Sequence, residues 1–192
     1  VQGIFYGLST GWLAAAVAMV FIHIQLQNIN TFVDETSGLF NRKYMNFYLE
    51  KAHKTNPRQL YGIMMDVNDF KKINDRYGHL QGDVCLAEIA DCIKKAYARC
   101  GYCYRIGGDE FCVLLKDEES EARCAKTLQA LLAERRKVFA ILPTVSLGSA
   151  AFSGEDVVTV KDRADRALYC AKKEQKARAA AEKPADGIEE KD

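Results

Sequence analysis

Hydrophobic and polar positions divide the chain into a charge-free head and a remainder in which apolar and charged residues alternate. Residues 1–33 contain no Lys, Arg, Asp or Glu, and residues 4–24 form a mostly apolar stretch. A helix needs roughly 20 apolar residues to cross a bilayer. We therefore expect one transmembrane helix and a juxtamembrane segment over 1–33. The alternatives are a buried helix of a soluble protein and a signal peptide.

In the remainder, helical and strand periodicities follow one another. Helices are predicted from 41 to about 53, over 83–98 and 118–137, and from 157 to about 181; strands are predicted over 59–67, 102–106, 111–115 and 144–152. The strand over 59–67 ends in an acidic loop, and residues 68–82 are polar with two glycines. This order of elements predicts an α+β fold in which helices pack on a central, mostly antiparallel sheet.

Charge and cysteine content narrow the function and the location. The chain has 27 Lys and Arg against 26 Asp and Glu, a net charge of +1, which argues against binding nucleic acid by bulk charge. Arg42 and Lys43, the first cations after the apolar stretch, predict a cytoplasmic C-terminal part by the positive-inside tendency. The cysteines there are expected to be reduced. The predicted location is the cell inner membrane, with a single visible pass.

One cysteine motif has no assigned function. Cys100-Gly-Tyr-Cys103 is a lone CxxC, which fits half a zinc site or a redox pair. No second CxxC or His pair completes a zinc site. Cys85 and Cys92 lie in a helical pattern and are expected to be small core residues.

Two acidic turns carry the candidate chemistry. Asp66 and Asp69 lie at the end of the first strand, and Asp109 and Glu110 lie at the tip of a predicted hairpin. Neighbouring strand ends can bring Asp66 and Asp109 together, where two carboxylates repel unless a cation lies between them. Oxygen ligands suit Mg²⁺ or Mn²⁺, and a metal with phosphate suggests phosphoryl transfer. The alternative is that Asp and Asn simply form the turns.

Five motifs, in order, resemble the GGDEF family of diguanylate cyclases. Residues 34–42 read DETSGLFNR, with Ser37 where Thr is usual; residues 66–83 read DVNDFKKINDRYGHLQGD, 105–111 read RIGGDEF, 144–148 read TVSLG and 164–172 read ADRALYCAK. The resemblance covers residues 34–177 and implies a GGDEF domain there, with a fold similar to the palm of nucleotide cyclases and polymerases. The charged tail at 178–192 is expected to be disordered.

The resemblance implies a reaction and its metal site. The family condenses two GTP into cyclic di-GMP with loss of two pyrophosphates. Each domain binds one GTP, and two domains face each other, which implies a homodimer. It also implies two Mg²⁺ or Mn²⁺ ions per site, held by Asp66, Asp109 and the carbonyl of Val67, with Glu110 assisting. The signal that controls dimerisation is expected from an upstream or partner sensor module.

Further residues are assigned to the phosphates by the same resemblance. Lys71, with the backbone N–H groups of Asp69 and Phe70, is expected to grip the β and γ phosphates, so that the implied catalytic residues are Asp109, Glu110 and Lys71. Lys172 and Lys176 share a face of the last helix and are implied to bind substrate. A solvated helix face is the alternative for these two lysines.

The guanine base has its own implied residues. Asn74 and Asp83 would read its edge, because a carboxylate can accept from the guanine N1–H and exocyclic amine that adenine lacks. His79 is implied to be part of the nucleotide pocket, or else to stabilise a turn by hydrogen bonding. Gly107 and Gly108 would leave room for base and ribose against the backbone.

Two departures from the family bear on regulation and activity. The arginine and aspartate of its product-inhibition motif, RxxD, would fall at Ala98 and Gly101, so we expect no feedback inhibition through that site. Residues 172–177 read KKEQKA where K-x-x-G-R-N is usual. Lys176 therefore keeps the positive charge of the usual arginine but lacks the two parallel N–H donors of its guanidinium group. The expected function is a membrane-anchored diguanylate cyclase. The alternatives are a GTP-binding regulator that makes no product and a cyclase with an adenine-containing product.

Overall fold

The computed structural model describes residues 11–23, 31–55, 60–152, 162–163, 166–170 and 173. The chain separates into two compact units, Val1–Val33 and Asp34–Asp192. In the first unit, residues 11–23 are helical and exposed. The predicted tail at 178–192 lies outside the described residues, so its disorder stays a prediction.

The predicted transmembrane helix, and the inner-membrane location derived from it, are wrong. Within the described part of the chain, no helix is both long and apolar enough to cross a bilayer. The helical residues that the structure describes there are 11–23, fewer than the roughly 20 that a bilayer-crossing helix needs. The prediction that the C-terminal part of the chain is cytoplasmic depended on that transmembrane helix, so its basis is lost as well.

Five strands form one mixed sheet in the second unit. They are β1 (Phe40–Asn41), β2 (Leu60–Val67), β3 (Gly101–Arg105), β4 (Glu110–Leu115) and β5 (Val145–Phe152). Their order across the sheet is β1-β3-β4-β2-β5. β1 pairs parallel with β3, and the other neighbouring pairs are antiparallel. The predicted α+β fold with a central sheet is confirmed; β1 was not predicted, because two residues show no alternation.

Helices flank this sheet. They are α1 (Arg42–Thr55), α2 (Phe70–Tyr77), α3 (His79–Tyr97) and α4 (Glu119–Val138). Helical residues are also described at 162–163, 166–170 and 173, within the last helix that the sequence predicts. One of them, Leu168, packs so closely on β5 that a Cβ at Gly148 would lie 2.6 Å from its Cα atom. Glycine at 148 is therefore required for this approach of helix to sheet.

The strands alternate their side chains between two cores. Ile63, Met65 and Val67 of β2 are buried in one core with apolar residues of α3 and α4, whereas Met64 lies in a second core with residues of α1 and with Leu168. A period of two follows from the geometry of an extended strand. Since both faces of the sheet are covered, chemistry is confined to the strand ends and the loops that connect them.

The polar stretch at 68–82 folds differently from the simple loop that its composition indicates. It contains α2 and the start of α3, which begins at His79 rather than at 83. Asp69 precedes α2 with φ 54° and ψ 26°, in the left-handed region, and Gly78 separates the two helices with φ 83°. No residue of α2 is buried. Its apolar residues are only partly buried against the core, and eight residues are too few for their helical spacing to stand out from a loop.

Candidate functional site

Two acidic segments meet at one end of the sheet. In the antiparallel pairing of β2 with β4, Asp66 lies directly opposite Glu110. The backbone N–H of Val67 donates to the carbonyl of Asp109 at 3.1 Å. Asp66, Asp109 and Glu110 are all half-buried. The structure thus brings together the two turns that the sequence places 43 residues apart, counting from Asp66 to Asp109.

The turn between β3 and β4 is held tightly by its own backbone. The N–H groups of Ile106 and Gly107 both donate to the carbonyl of Glu110, at 2.9 and 3.3 Å. A Cβ at Gly107 would lie 2.7 Å from the Oε2 atom of Glu110, whereas a Cβ at Gly108 would meet nothing within 4 Å. Gly107 therefore makes space for the Glu110 carboxylate, and Gly108 presents bare backbone to solvent. Their proposed contact with base and ribose stays a prediction.

Arg105 fixes this turn from outside, a role that the sequence analysis missed. Its Nε and Nη2 atoms donate to the carbonyl of Gly108 at 3.2 and 2.8 Å. Its Nη1 atom donates to Oδ1 of Asp34 at 2.9 Å. Both residues belong to motifs quoted above, DETSGLFNR and RIGGDEF, but no local rule pairs them. Arg105 thereby connects the start of the second unit to the turn that carries Asp109.

Asp34 is the acceptor that holds Arg105 in place. Its Oδ1 atom also accepts from the N–H and the hydroxyl of Ser37, at 2.8 and 2.7 Å. Burial raises the pKa of Asp34, but the hydrogen bonds from Ser37 and Arg105 outweigh it and lower that pKa below 3.8. Ser37 keeps the hydroxyl that Thr usually supplies at this position, so the substitution preserves the local hydrogen bond.

A second set of contacts anchors the acidic loop after β2, and it too was not predicted. The side-chain Nδ2 of Asn68 donates to Oγ1 of Thr144 at 2.9 Å, and the hydroxyl of Ser146 donates to Oδ1 of Asn68 at 2.8 Å. The N–H of Asn68 donates to the carbonyl of Thr144 at 2.9 Å. Ser146 is fully buried. Asn68 therefore connects the segment that carries Asp66 to β5. The two hydroxyl side chains in the sequence TVSLG were the feature from which these contacts could have been predicted.

The residues assigned to phosphate binding lie at the start of α2. Asp69, with its left-handed backbone, directly precedes Phe70, the first residue of this helix. The first N–H groups of any α-helix have no partner inside it, and they favour anions. Lys71 is exposed, while Lys72 pairs with the carboxylate of Asp69 at 2.9 Å. Lys172 and Lys176 lie outside the described residues.

The residues assigned to the base lie where α2 and α3 adjoin. The side-chain oxygen of Asn74 occupies the space that a Cβ at Gly82 would need. That oxygen is buried and has no hydrogen-bond partner within the described residues. Asp83 follows Gly82 and is exposed, as is His79 at the start of α3. The fold thus brings Asn74 next to the helical turn that carries Asp83, while their contact with guanine is untested.

The oxygen-rich end of the sheet fits a small divalent cation by the chemistry of its donors. Two carboxylates, from Asp66 and Asp109, and the peptide carbonyl of Val67 are hard oxygen ligands, which suit Mg²⁺ or Mn²⁺. Among the residues that the structure describes, no group of three His, Cys, Asp or Glu side chains is arranged to hold a metal. A site here would therefore need ligands from substrate or water besides the two carboxylates.

The positions of the family's inhibitory motif are structurally defined. Ala98 is the C-cap residue that follows α3, and Gly101 begins β3. A Cβ at Gly101 would collide with the carbonyl oxygen of Leu114 and lie 2.9 Å from its carbon. A side chain at 101 would thus require the paired strand to move.

Comparison with known proteins identifies relatives over most of the second unit. The family described as "Diguanylate cyclase, GGDEF domain" matches residues 31–178. Diguanylate cyclase DgcZ of Escherichia coli is 31% identical over 172 residues, which cover 86% of this chain and 58% of that protein. Diguanylate cyclase DgcP of Pseudomonas aeruginosa is 35% identical over 161 residues, covering 79% of this chain and 24% of that protein. The chain therefore spans less than two thirds of either relative.

A solved structure supports the same relationship. The crystal structure of the coiled coil and GGDEF domain of DgcB from Caulobacter crescentus, in complex with c-di-GMP, is similar with a TM-score of 0.72. The two chains are 25% identical, and the similarity covers 84% of this chain and 91% of that one. Since the family match spans well over half of the residues and the fold agrees, the chain belongs to the GGDEF family of diguanylate cyclase domains.

Proposed function

We propose that this chain is a diguanylate cyclase, which condenses two GTP into cyclic di-GMP and releases two pyrophosphates. The observation that carries the proposal is the meeting of two acidic segments at one sheet end. Asp66 lies opposite Glu110, and the Val67 N–H binds the carbonyl of Asp109. Family membership and relatives that are named diguanylate cyclases support the same reaction.

The acidic residues are assigned to two Mg²⁺ or Mn²⁺ ions. Asp66, Asp109 and the Val67 carbonyl would hold them, and Glu110, whose carboxylate lies over Gly107, would support the same site. When bound, the ions supply positive charge at the α-phosphate and lower the pKa of the attacking 3′-hydroxyl. The chain's own contribution is to fix these carboxylates in place through paired strands, so that little reorganisation is needed during the reaction.

Substrate binding is assigned to the segments on either side of Gly78. Lys71 and the N–H groups of Asp69 and Phe70 would bind the β and γ phosphates, as anions favour the start of a helix. Lys172 and Lys176 would add positive charge. These contacts neutralise pyrophosphate as it leaves, which is most of what a protein can do in phosphoryl transfer.

Guanine selection is assigned to Asn74 and Asp83, with His79 in the same pocket. The buried Asn74 oxygen beside Gly82 favours a pocket with fixed polar groups over a mobile surface. Asp83→Ala is expected to weaken GTP binding far more than ATP binding, because adenine has no N1–H group that could donate a hydrogen bond to the carboxylate. Nucleotide titrations of wild type and variant measure both affinities. Equal losses for GTP and ATP would remove Asp83 from base recognition.

The active form is proposed to be a homodimer controlled by a sensor module upstream or in a partner chain. Each acidic site would hold one GTP, and the 3′-hydroxyl on one domain would attack the α-phosphate on the other. The similarity to a structure that contains a coiled coil before its GGDEF domain is consistent with dimerisation through the preceding segment. A single domain would then bind GTP without forming the cyclic product.

The decisive experiment joins the chain to a dimeric coiled coil and supplies GTP with Mg²⁺. Chromatography is expected to detect cyclic di-GMP and pyrophosphate. Asp109→Ala is expected to abolish turnover while the fold persists, and Glu119→Gln, an exposed acidic residue of α4, is the matched control. GTP binding without product, in a preparation of confirmed dimers, would refute the cyclase and support the regulator. Product formation by Asp109→Ala would refute the metal assignment.

Feedback inhibition through the RxxD position is proposed to be absent. Neither Ala98 nor Gly101 offers a charged group, and the contact of Gly101 with Leu114 leaves no room for one. Added cyclic di-GMP is expected to leave the initial rate nearly unchanged at saturating GTP. Strong non-competitive inhibition would demonstrate a different regulatory site.

A further inference from the structure

Cys100 and Cys124 form a close thiol pair at the end of the β3–β4 hairpin opposite the acidic turn. Cys100 lies between α3 and β3, and Cys124 lies in α4. The S–H of Cys124 donates to the sulfur of Cys100, with 3.4 Å between the Sγ atoms. The Cys100-Gly-Tyr-Cys103 motif suggested a pair within itself, but Cys103 is buried in the core. The structure therefore replaces the sequence-local pair with one that joins two elements.

The surroundings of this pair distinguish its two sulfurs. Cys100 is partly exposed, whereas Cys124 is buried. The Nη2 atom of Arg123 lies 3.7 Å from the Cys100 sulfur and also donates to the hydroxyl of Ser120 at 3.3 Å. A guanidinium beside a sulfur that solvent can reach favours the thiolate, which is the reactive form of cysteine.

The thiol pKa values follow the same division. The hydrogen bond from Cys124 lowers the pKa of Cys100, with help from Ser120 and Arg123 against the opposing effect of burial. Burial raises the pKa of Cys124, and it raises that of Cys103 to about 12. The pair thus combines a partly exposed sulfur whose pKa is lowered with a buried neighbour whose pKa is raised.

We propose that Cys100 and Cys124 are a reversible redox modification site, in which a hydroperoxide oxidises Cys100 and Cys124 converts the product to a disulfide. The proposal is independent of the function assigned to the acidic end of the sheet. A disulfide has an S–S bond of about 2.0 Å, so the two sulfurs must approach by about 1.4 Å from their present 3.4 Å. Rotation of the partly exposed Cys100 side chain can supply part of this movement.

The chemistry proceeds in two balanced steps. The Cys100 thiolate attacks one peroxide oxygen, the O–O bond breaks, and hydroxide leaves and is protonated to water, which gives a sulfenic acid. The Cys124 sulfur then attacks the Cys100 sulfur, the S–O bond breaks, and the hydroxyl leaves with the thiol proton as a second water. Two thiols lose two electrons, and hydrogen peroxide gains them. A dithiol reductant reverses the change by thiol–disulfide exchange.

The disulfide would enclose the segment that bears the acidic turn. Cys100 and Cys124 are 24 residues apart, and β3, β4 and their turn all lie between them. Closing a loop of this size restricts the unfolded chain. The oxidised protein is therefore expected to unfold at a Tm higher by roughly 5–10 °C than the reduced protein.

The test uses the full chain with Cys170→Ser, which removes an exposed thiol that would otherwise link two molecules. The reduced protein receives one equivalent of hydrogen peroxide and then an alkylating agent. Digestion with trypsin and chymotrypsin under non-reducing conditions cuts after Tyr102 and so separates Cys100 from Cys103. Mass spectrometry is expected to find residues 100–102 linked to residues 124–126 as the main product. Dithiothreitol is expected to abolish the linkage.

Two variants supply the controls. In Cys124→Ala, Cys100 is expected to stop at the sulfenic acid, which dimedone traps. In Arg123→Gln, alkylation of Cys100 by iodoacetamide is expected to slow several-fold. Three results in the Cys170→Ser protein would overturn the proposal. Cys100 could be recovered unmodified, chiefly as the sulfinic acid, or linked to Cys103. An unchanged Tm after complete oxidation would refute the prediction that closing the loop between Cys100 and Cys124 stabilises the protein. Both tests use a protein whose core residues are intact.

Discussion

Replacing Arg105 by methionine removes a side chain that contacts both the acidic turn and the start of the domain. The change deletes two hydrogen bonds to the Gly108 carbonyl and one to Asp34. Methionine keeps a flexible, unbranched side chain of comparable reach, so the loss is chiefly that of the guanidinium. We expect both a less stable domain and a looser turn beside Asp109.

The magnitude follows from what each partner retains. Gly108 is exposed, so water can replace the bonds to its carbonyl at little cost. Asp34 keeps its two hydrogen bonds from Ser37 but loses a charged donor, and the Arg105 and Asp34 side chains are only 12% and 27% exposed. A hydrogen bond to a charged group contributes about 1.5–3 kcal/mol. Because both groups retain some solvent, we expect Arg105→Met to lower the free energy of unfolding by about 2 kcal/mol.

Urea denaturation followed by circular dichroism measures this loss, and Arg99→Met is the matched control. Arg99 is exposed, so its replacement is expected to change the free energy of unfolding by no more than about 0.5 kcal/mol. Combining Arg105→Met with Asp34→Asn tests the pair directly, since the two losses are expected to fall short of additivity. A cost below about 0.5 kcal/mol for Arg105→Met, or full additivity with Asp34→Asn, would refute the reasoning.

Three further changes test other parts of the structure. Gly101→Ala is expected to cost about 1–3 kcal/mol, because the added Cβ collides with the Leu114 carbonyl; thermal unfolding measures it. Ser146→Ala is expected to cost about 1–2 kcal/mol, because Asn68 loses a buried donor; urea denaturation measures it. The Asp34 carboxylate has a lowered pKa, so its contribution is full above pH 3.8 and is lost as pH falls through the lowered value. Stability curves of wild type and Asp34→Asn should therefore converge in acid.

Each of these predictions has an outcome that contradicts it. Gly108→Ala is the control for Gly101→Ala, because its Cβ would meet nothing within 4 Å; equal losses in both would mean that the close approach is relieved cheaply. A neutral Ser146→Ala would show that another group satisfies Asn68. A gap between wild type and Asp34→Asn that persists at the lowest pH would mean that the charge of Asp34 is not what stabilises the fold.

The meeting of the acidic segments could be predicted because strand periodicity places each segment at the end of a strand. Asp66 ends an apolar run that reads as a strand, and Asp109 and Glu110 lie between two more. The antiparallel pairing of β2 with β4 then places them together. The order of β2, α3, β3, β4, α4 and β5 follows from the same signal. Local pattern is sufficient wherever a buried face repeats with period two or 3.6.

The features that escaped prediction have a repeat that is too short to recognise, or no local repeat at all. α2 buries none of its residues, and the left-handed backbone of Asp69 that precedes it leaves no mark in hydropathy. Arg105 and Asp34 are 71 residues apart, and Cys100 and Cys124 are 24 apart; both pairs follow from how distant elements pack. The membrane span predicted over 4–24 was wrong, since no helix within the described residues is long and apolar enough to cross a bilayer.

The two-sided burial of β2 limits how the length of this protein can change during evolution. β2 pairs along its length with β4 on one side and β5 on the other, and its side chains alternate between two cores. Unless a β-bulge absorbs it, a single residue inserted or deleted within β2 would move the side chains beyond that point to the opposite face. Substitutions in β2 can accumulate gradually, whereas a change of one residue in length before Asp66 would displace several core side chains and that carboxylate in one step.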